Sequence, residues 1–246
     1  MAKIFHTDGS QSGFFTAVFD AYPLKNSHIT SQKNFQCSIL DEWVDVQTNE
    51  EKATRVSEKL GKIDVRAALE IDRILRTEYP DKEQVAFNYL KLVITLGKSA
   101  REQLTLEAVR KASDYASRVW LEIHRLHGFL RFRECENGVL YADCAPDNDI
   151  IELLSPHFKS RLKSQPFVIH DKKRNRAILY DGKNDIYVPV QKADVRITER
   201  ERSVSALWKK YYHTAAIPMR KNTRQMKGYM PKRYWAFACE KEGDDI

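Results

Sequence analysis

The chain has 246 residues, 42% hydrophobic and 30% charged, with 9 Gly, 8 Pro and 4 Cys. That composition excludes disordered and collagen-like classes, supplies enough apolar surface for a core, and offers no CxxC pair or disulfide framework. The net charge of +7 becomes informative only once it is located.

Residues 3–6 (KIFH) read as a short strand and DGSQSG as a turn. An aromatic-rich helix over 13–22 follows, stopped by Pro23, and 25–33 is polar and irregular. A strand is expected near 42–46. Thr48 and Glu51 form an S/T-x-x-E capping box for a helix that Gly61 ends. Asp64 caps the next helix, which stops before Pro80, and Asp81 opens another that closes at Gly97. From Thr105 to His127, the residues Val109, Ala112, Ala116, Val119, Trp120, Ile123 and His127 share one stripe, with Gly128 as the stop. The period then changes. GFLRFRECENGVLYADC predicts a hairpin with a type I′ turn at Asn137-Gly138, pairing Arg131 with Cys144 and Arg133 with Ala142. A helix over about 149–163, bent at Pro156, precedes a second hairpin, FVIHD–KKRN–RAILYDG. A helix near 199–214 leads into a basic, Pro-punctuated tail.

Hairpins without βαβ crossovers predict an α+β fold: a helical block plus a small antiparallel sheet built from two hairpins around a helix, with a basic helical end. One domain over 1–246 is expected, with sub-regions 1–47, 48–127, 128–190 and 191–246. No apolar run approaches the roughly 20 residues of a membrane span, and no secretion leader is visible, so a cytoplasmic protein is expected.

The positive excess is local. Between Arg196 and Arg233 eleven Lys and Arg face only Glu199 and Glu201, a net of +9, which leaves −2 for the remainder. Such a field attracts polyanions. Aromatic side chains interleave with these cations, and Trp208, Tyr211 and Trp235 are expected mostly in the core. Candidate phosphate-holding residues are Lys209, Lys210, Arg220, Lys221, Arg224, Lys227, Lys232 and Arg233, with Asn222 as a polar contact or turn cap. Arg131 and Arg133 alternate with Leu130 and Phe132, so both share a sheet face that reads phosphate or simply meets solvent. His157 and Arg161 lie four apart on one helical face.

His170 and Asp171 end a strand and, with His157, are the candidates for acid–base chemistry; Asp171 also suits a plain hairpin turn. His127 reads as a core histidine sooner than a ligand. The set His124, His127, Cys135 and Cys144 has no metal-site spacing, and no GxxxxGK[ST] or GxGxxG loop is present, so neither metal nor cofactor is expected.

The stretches DGSQSGFFTAVFDAY, EEKATRV, EIHRLHGFLRF, VLYADCAPDNDIIELLSPHFKSRL, FVIHDKKRNRAILYDG, LWKKYYHTAAIPMRKN and MPKRYW, in this order, resemble a bacterial family of DNA-metabolism proteins. That family is a domain of unknown function, sometimes fused to a uracil-DNA glycosylase-like domain and encoded beside a radical-SAM protein of DNA modification or repair. The resemblance implies a role in DNA repair or metabolism without assigning a reaction; no fused glycosylase domain is expected here, and the 246 residues contain no radical-SAM cysteine triplet. One departure is that family members carry an aromatic directly before the DGS turn, where this chain has His6-Thr7. The expected function is therefore DNA binding as an accessory to a repair enzyme. An enzyme acting on damaged DNA and a protein adaptor are the alternatives.

Overall fold

The computed structural model describes residues 1–220 and 222–241. They form two compact units, Met1–Trp120 and Leu121–Ile246, and the class is α+β, as expected. Among the described residues no helix is long and apolar enough to cross a membrane.

The first unit opens with β1 (Lys3–His6), α1 (Gln11–Ala21), β2 (Ser27–Thr30) and β3 (Glu42–Asp45). β1 lies between β2 and β3 and pairs with both in parallel. The segment read as irregular thus contains a strand, short and half polar, which alternation over four residues cannot reveal. Ser10 caps α1 by accepting from the Gly13 amide at 2.9 Å. Gly13 is needed there, because a Cβ would stand 2.2 Å from Asp8 Oδ1. The ring before the DGS turn is His6, whose Nδ1 lies 2.9 Å from Asp45 Oδ1 and whose centroid lies 5.1 Å from that of Trp43.

Helices α2 (Glu50–Ile63), α3 (Val65–Leu75) and α4 (Lys82–Leu96) follow. Asn49, not Thr48, caps α2, accepting from the Lys52 amide at 3.0 Å. Thr48 instead donates to Asp8 at 2.9 Å, so the capping box does not form. α2 also runs through Gly61, because the Asp64 cap begins the next helix directly behind it. Phe5, Phe14, Ile29, Ile71, Phe87 and Leu90 share the core of this unit.

The unit boundary falls within α5 (Glu107–Phe129), which passes Gly128 without stopping. In its second half Glu122 and Leu126 are each 2% exposed, while Trp120 is 51% exposed. The buried line therefore continues Val119–Glu122–Leu126, not Trp120–Ile123.

The second unit holds β4 (Arg133–Glu134), β5 (Leu140–Cys144), α6 (Ile151–Leu162), β6 (Phe167–Asp171), β7 (Arg176–Tyr180), β8 (Asp185–Pro189), α7 (Glu199–Ala215) and α8 (Thr223–Tyr229). The sheet order is β4-β5-β6-β7-β8. It is mixed, because β5 and β6 run parallel with α6 as their crossover, and only the other pairs are antiparallel. The expectation of a purely antiparallel sheet is corrected on this point: both hairpins exist, but a βαβ unit joins them. The first hairpin is also offset by one residue, with Arg133 opposite Tyr141 instead of Ala142. Its loop has three residues: the Cys135 carbonyl accepts from the Gly138 amide, and the Cys135 amide donates to Val139, each at 2.9 Å. Only Gly138 takes positive φ, at 77°, so Asn137 does not supply the second left-handed residue that a type I′ turn demands. Arg131 lies before β4 and shares no strand face with Arg133.

Candidate nucleic-acid interface

Glu122 organises the second unit. Its carboxylate is almost wholly buried and accepts from the Asp147 and Asn148 amides, each at 2.9 Å, and from Asn148 Nδ2 at 2.7 Å. Tyr234 Oη donates to it at 3.1 Å, and Arg233 reaches it at 3.4 Å. A buried anion is tolerable only when its oxygens are filled in this way. Three sequence stretches, EIHRLH, CAPDND and PKRYW, meet at this one group. Sequence reasoning missed it, although its spacing of three from Val119 placed it on the buried line.

Several expected phosphate-binding residues are ion-paired inside the unit. Arg131 Nη2 lies 2.7 Å from the buried Glu240 and donates also to the Gly128 carbonyl. Arg133 pairs with Asp143 at 3.1 Å, and Lys172 holds the same carboxylate at 2.8 Å. Arg233 bridges Glu122 and Asp147, and Lys232 lies over the Trp235 ring. Arg131, Arg133, Arg202 and Lys209 do line one cleft of about 770 Å³ together with Trp208 and Phe237, but Asp143 and Glu201 line it too. Three of those four cations are held by carboxylates: Arg131 by Glu240, Arg133 by Asp143 and Arg202 by Glu199.

The remaining cations are different. Lys210, Arg220, Arg224 and Lys227 are exposed, and among the described residues no carboxylate forms an ion pair with them. Arg200 and Arg161 share that state. Asn222 caps α8, its side chain accepting from the Gln225 amide at 3.0 Å. Lys221 lies outside the described residues.

The aromatic side chains also depart from expectation. Trp235 is core, at 5% exposure, but Trp208 and Tyr211 are 42% and 62% exposed, and α7 has no buried residue at all. The inward side of α7 is instead half polar: Glu201 accepts from the Glu134 amide at 3.2 Å, and the Lys241 ammonium sits 4.7 Å from the Tyr212 ring and 5.0 Å from that of Trp235.

The three acid–base candidates are not brought together by hydrogen bonds. His170 is buried, with Nδ1 2.7 Å from Tyr141 Oη and Nε2 3.1 Å from the Val190 carbonyl, so both ring nitrogens are engaged. Asp171, fully buried, accepts from the Lys173 and Arg174 amides and pairs with Arg174 at 3.0 Å, the signature of a hairpin-turn carboxylate. His157 stacks on His127 with centroids 4.0 Å apart, and the Nε2 atom of each is buried with no hydrogen-bond partner among the described residues.

Burial, with His157 and His124 adding repulsion, depresses the His127 pKa from 6.5 to about 4. The unfolded chain binds this proton more readily than the folded one, so stability is full above pH 6.5 and falls as pH drops toward 4. Partial solvation of the ring limits the loss to about 1–2 kcal/mol. Denaturant titrations at pH 7 and pH 4 are expected to show that loss, and His127→Phe to shrink it; an unchanged slope in the variant would exclude His127 as the source.

Residues 80–240 match the family described as a domain of unknown function, DUF4130. The chain belongs to that family. No curated protein matches it.

Proposed function

We propose that this protein binds nucleic acid by its phosphate backbone and serves as a cytoplasmic accessory in DNA repair or metabolism. The observation that carries the reading is the set Lys210, Arg220, Arg224 and Lys227, exposed and unmatched by carboxylates among the described residues, in a segment of net +9. Lys221, from the same run, adds one more positive charge by sequence. Likeness to bacterial DNA-metabolism proteins supports DNA as the polymer. It also supports a separately encoded radical-SAM or uracil-DNA glycosylase-like protein as the partner that performs the chemistry. The saturated hydrogen bonding of His170 and Asp171 favours this accessory role over catalysis by those residues.

Backbone binding releases counterions, so its strength falls linearly in log–log against salt. With about four to five cations engaged, the slope is expected between about −3 and −4.5, shallower than if every Lys and Arg of the segment took part. Fluorescence anisotropy of a labelled oligonucleotide between low and physiological salt measures it. A slope near zero, or no retention at low salt, would sink the reading.

A further inference from the structure

Resting on that reading, we propose that α7 recognises an unpaired strand, its bases stacking on the paired rings of Trp208 and Tyr211. The two rings lie 5.6 Å apart between centroids and 29° between planes, and both are solvent-facing. Val204 (51% exposed) and Leu207 (67%) extend the same apolar stripe. Residues three and four apart share a helical face, so Arg200 falls on that stripe one turn before Val204. Lys210 stands beside Tyr211 in sequence.

A helix that turns its apolar side outward, with cations on it and beside it, needs an occupant that is both flat and anionic. Unpaired nucleotides meet both demands: each base has a π-face and each linkage a charge. Duplex DNA keeps its base faces within the stack and offers these rings no π-face to stack on. Trp208 also lies near Glu240, the carboxylate that Arg131 grips, and Glu201 on the same helix accepts from the Glu134 amide. Tyr211 packs on Trp208.

The test compares a labelled oligothymidine with a duplex of equal length, in the full chain. Wild type is expected to bind the single strand more tightly. Tyr211→Ala, which leaves the Trp208 ring in place, is expected to weaken single-strand binding roughly 5- to 150-fold and duplex binding hardly at all. Tyr211→Phe keeps the ring and is expected to keep affinity. Trp208→Ala/Tyr211→Ala, checked for folding by circular dichroism, should remove the preference altogether. Equal losses on both ligands, or tighter duplex binding by wild type, would overturn strand selectivity while leaving backbone binding intact. Binding of neither ligand would defeat both readings. A dimer at micromolar concentration that Tyr211→Ala dissolves would assign the stripe to a second copy of this chain and overturn the proposal.

Discussion

Replacing Glu122 by Ala is expected to lower the stability of this protein by about 3–5 kcal/mol, more than any other single side-chain change considered. The cost is that of leaving buried partners unmatched. The amides of Asp147 and Asn148, the Asn148 amide group and the Tyr234 hydroxyl all point at that carboxylate, and Arg233 would keep its charge with only Asp147 to answer it. Against a typical total of about 5–15 kcal/mol, such a loss brings the second unit close to unfolding at ambient temperature. Glu122→Gln keeps the shape but turns one acceptor into a donor aimed at donors, and an intermediate loss of about 2–3 kcal/mol is expected. Urea unfolding followed by far-ultraviolet circular dichroism measures both. A loss under about 1 kcal/mol for the Ala variant would show that water replaces the carboxylate at little cost and that Glu122 does not organise the unit.

The second large effect is on binding. Changing Arg220, Arg224 and Lys227 together to Glu swings the local charge by six units, and at about 0.1 M salt the affinity for DNA is expected to fall at least 10²-fold. Stability should barely change, because the three side chains are exposed and no carboxylate among the described residues relies on them. Arg233→Glu gives the contrast. It sets a third carboxylate beside Glu122 and Asp147, so its main effect is expected on stability and not on the salt slope. Electrophoretic mobility shift and thermal unfolding, run on both variants, separate the two kinds of cation. If the triple variant still binds with wild-type affinity, the exposed cations are not the grip.

Helix boundaries set by a local hydrogen bond were legible. Asp64 caps α3 as expected, and Gly97 closes α4. The capping box failed because two neighbouring residues competed for one role, and Thr48 found a partner in Asp8, 40 residues away, that no local pattern contains. Turn length misled the hairpin: Asn-Gly suits a two-residue loop, yet the chain closes on three, and one residue of slip exchanges the faces of a strand. The parallel pairing of β5 with β6 left no trace in either strand alone, since a crossover is a property of the fold and not of a window of residues.

The site was read unevenly. Charge location was visible in composition, but which cations stay unpaired depends on acids drawn from distant segments, such as Glu240 for Arg131 and Glu122 for Arg233. By their chemistry alone Trp208 and Tyr211 belong mostly to the interior. α7 inverts that rule, and the sign available in the sequence was Arg200, four residues before Val204 and on its face.

The bridges from Arg131 to Glu240 and from Glu122 to Tyr234, with Arg125 donating to the Gly228 carbonyl at 3.0 Å, join residues more than a hundred positions apart within the second unit. They fasten the late basic segment to the helix and loop that begin the unit. Its conformational freedom is thus lost when the chain folds, not when a ligand docks. A surface ordered in advance loses little entropy on association, so modest contacts there translate into tighter binding than the same side chains would give on a loose tail.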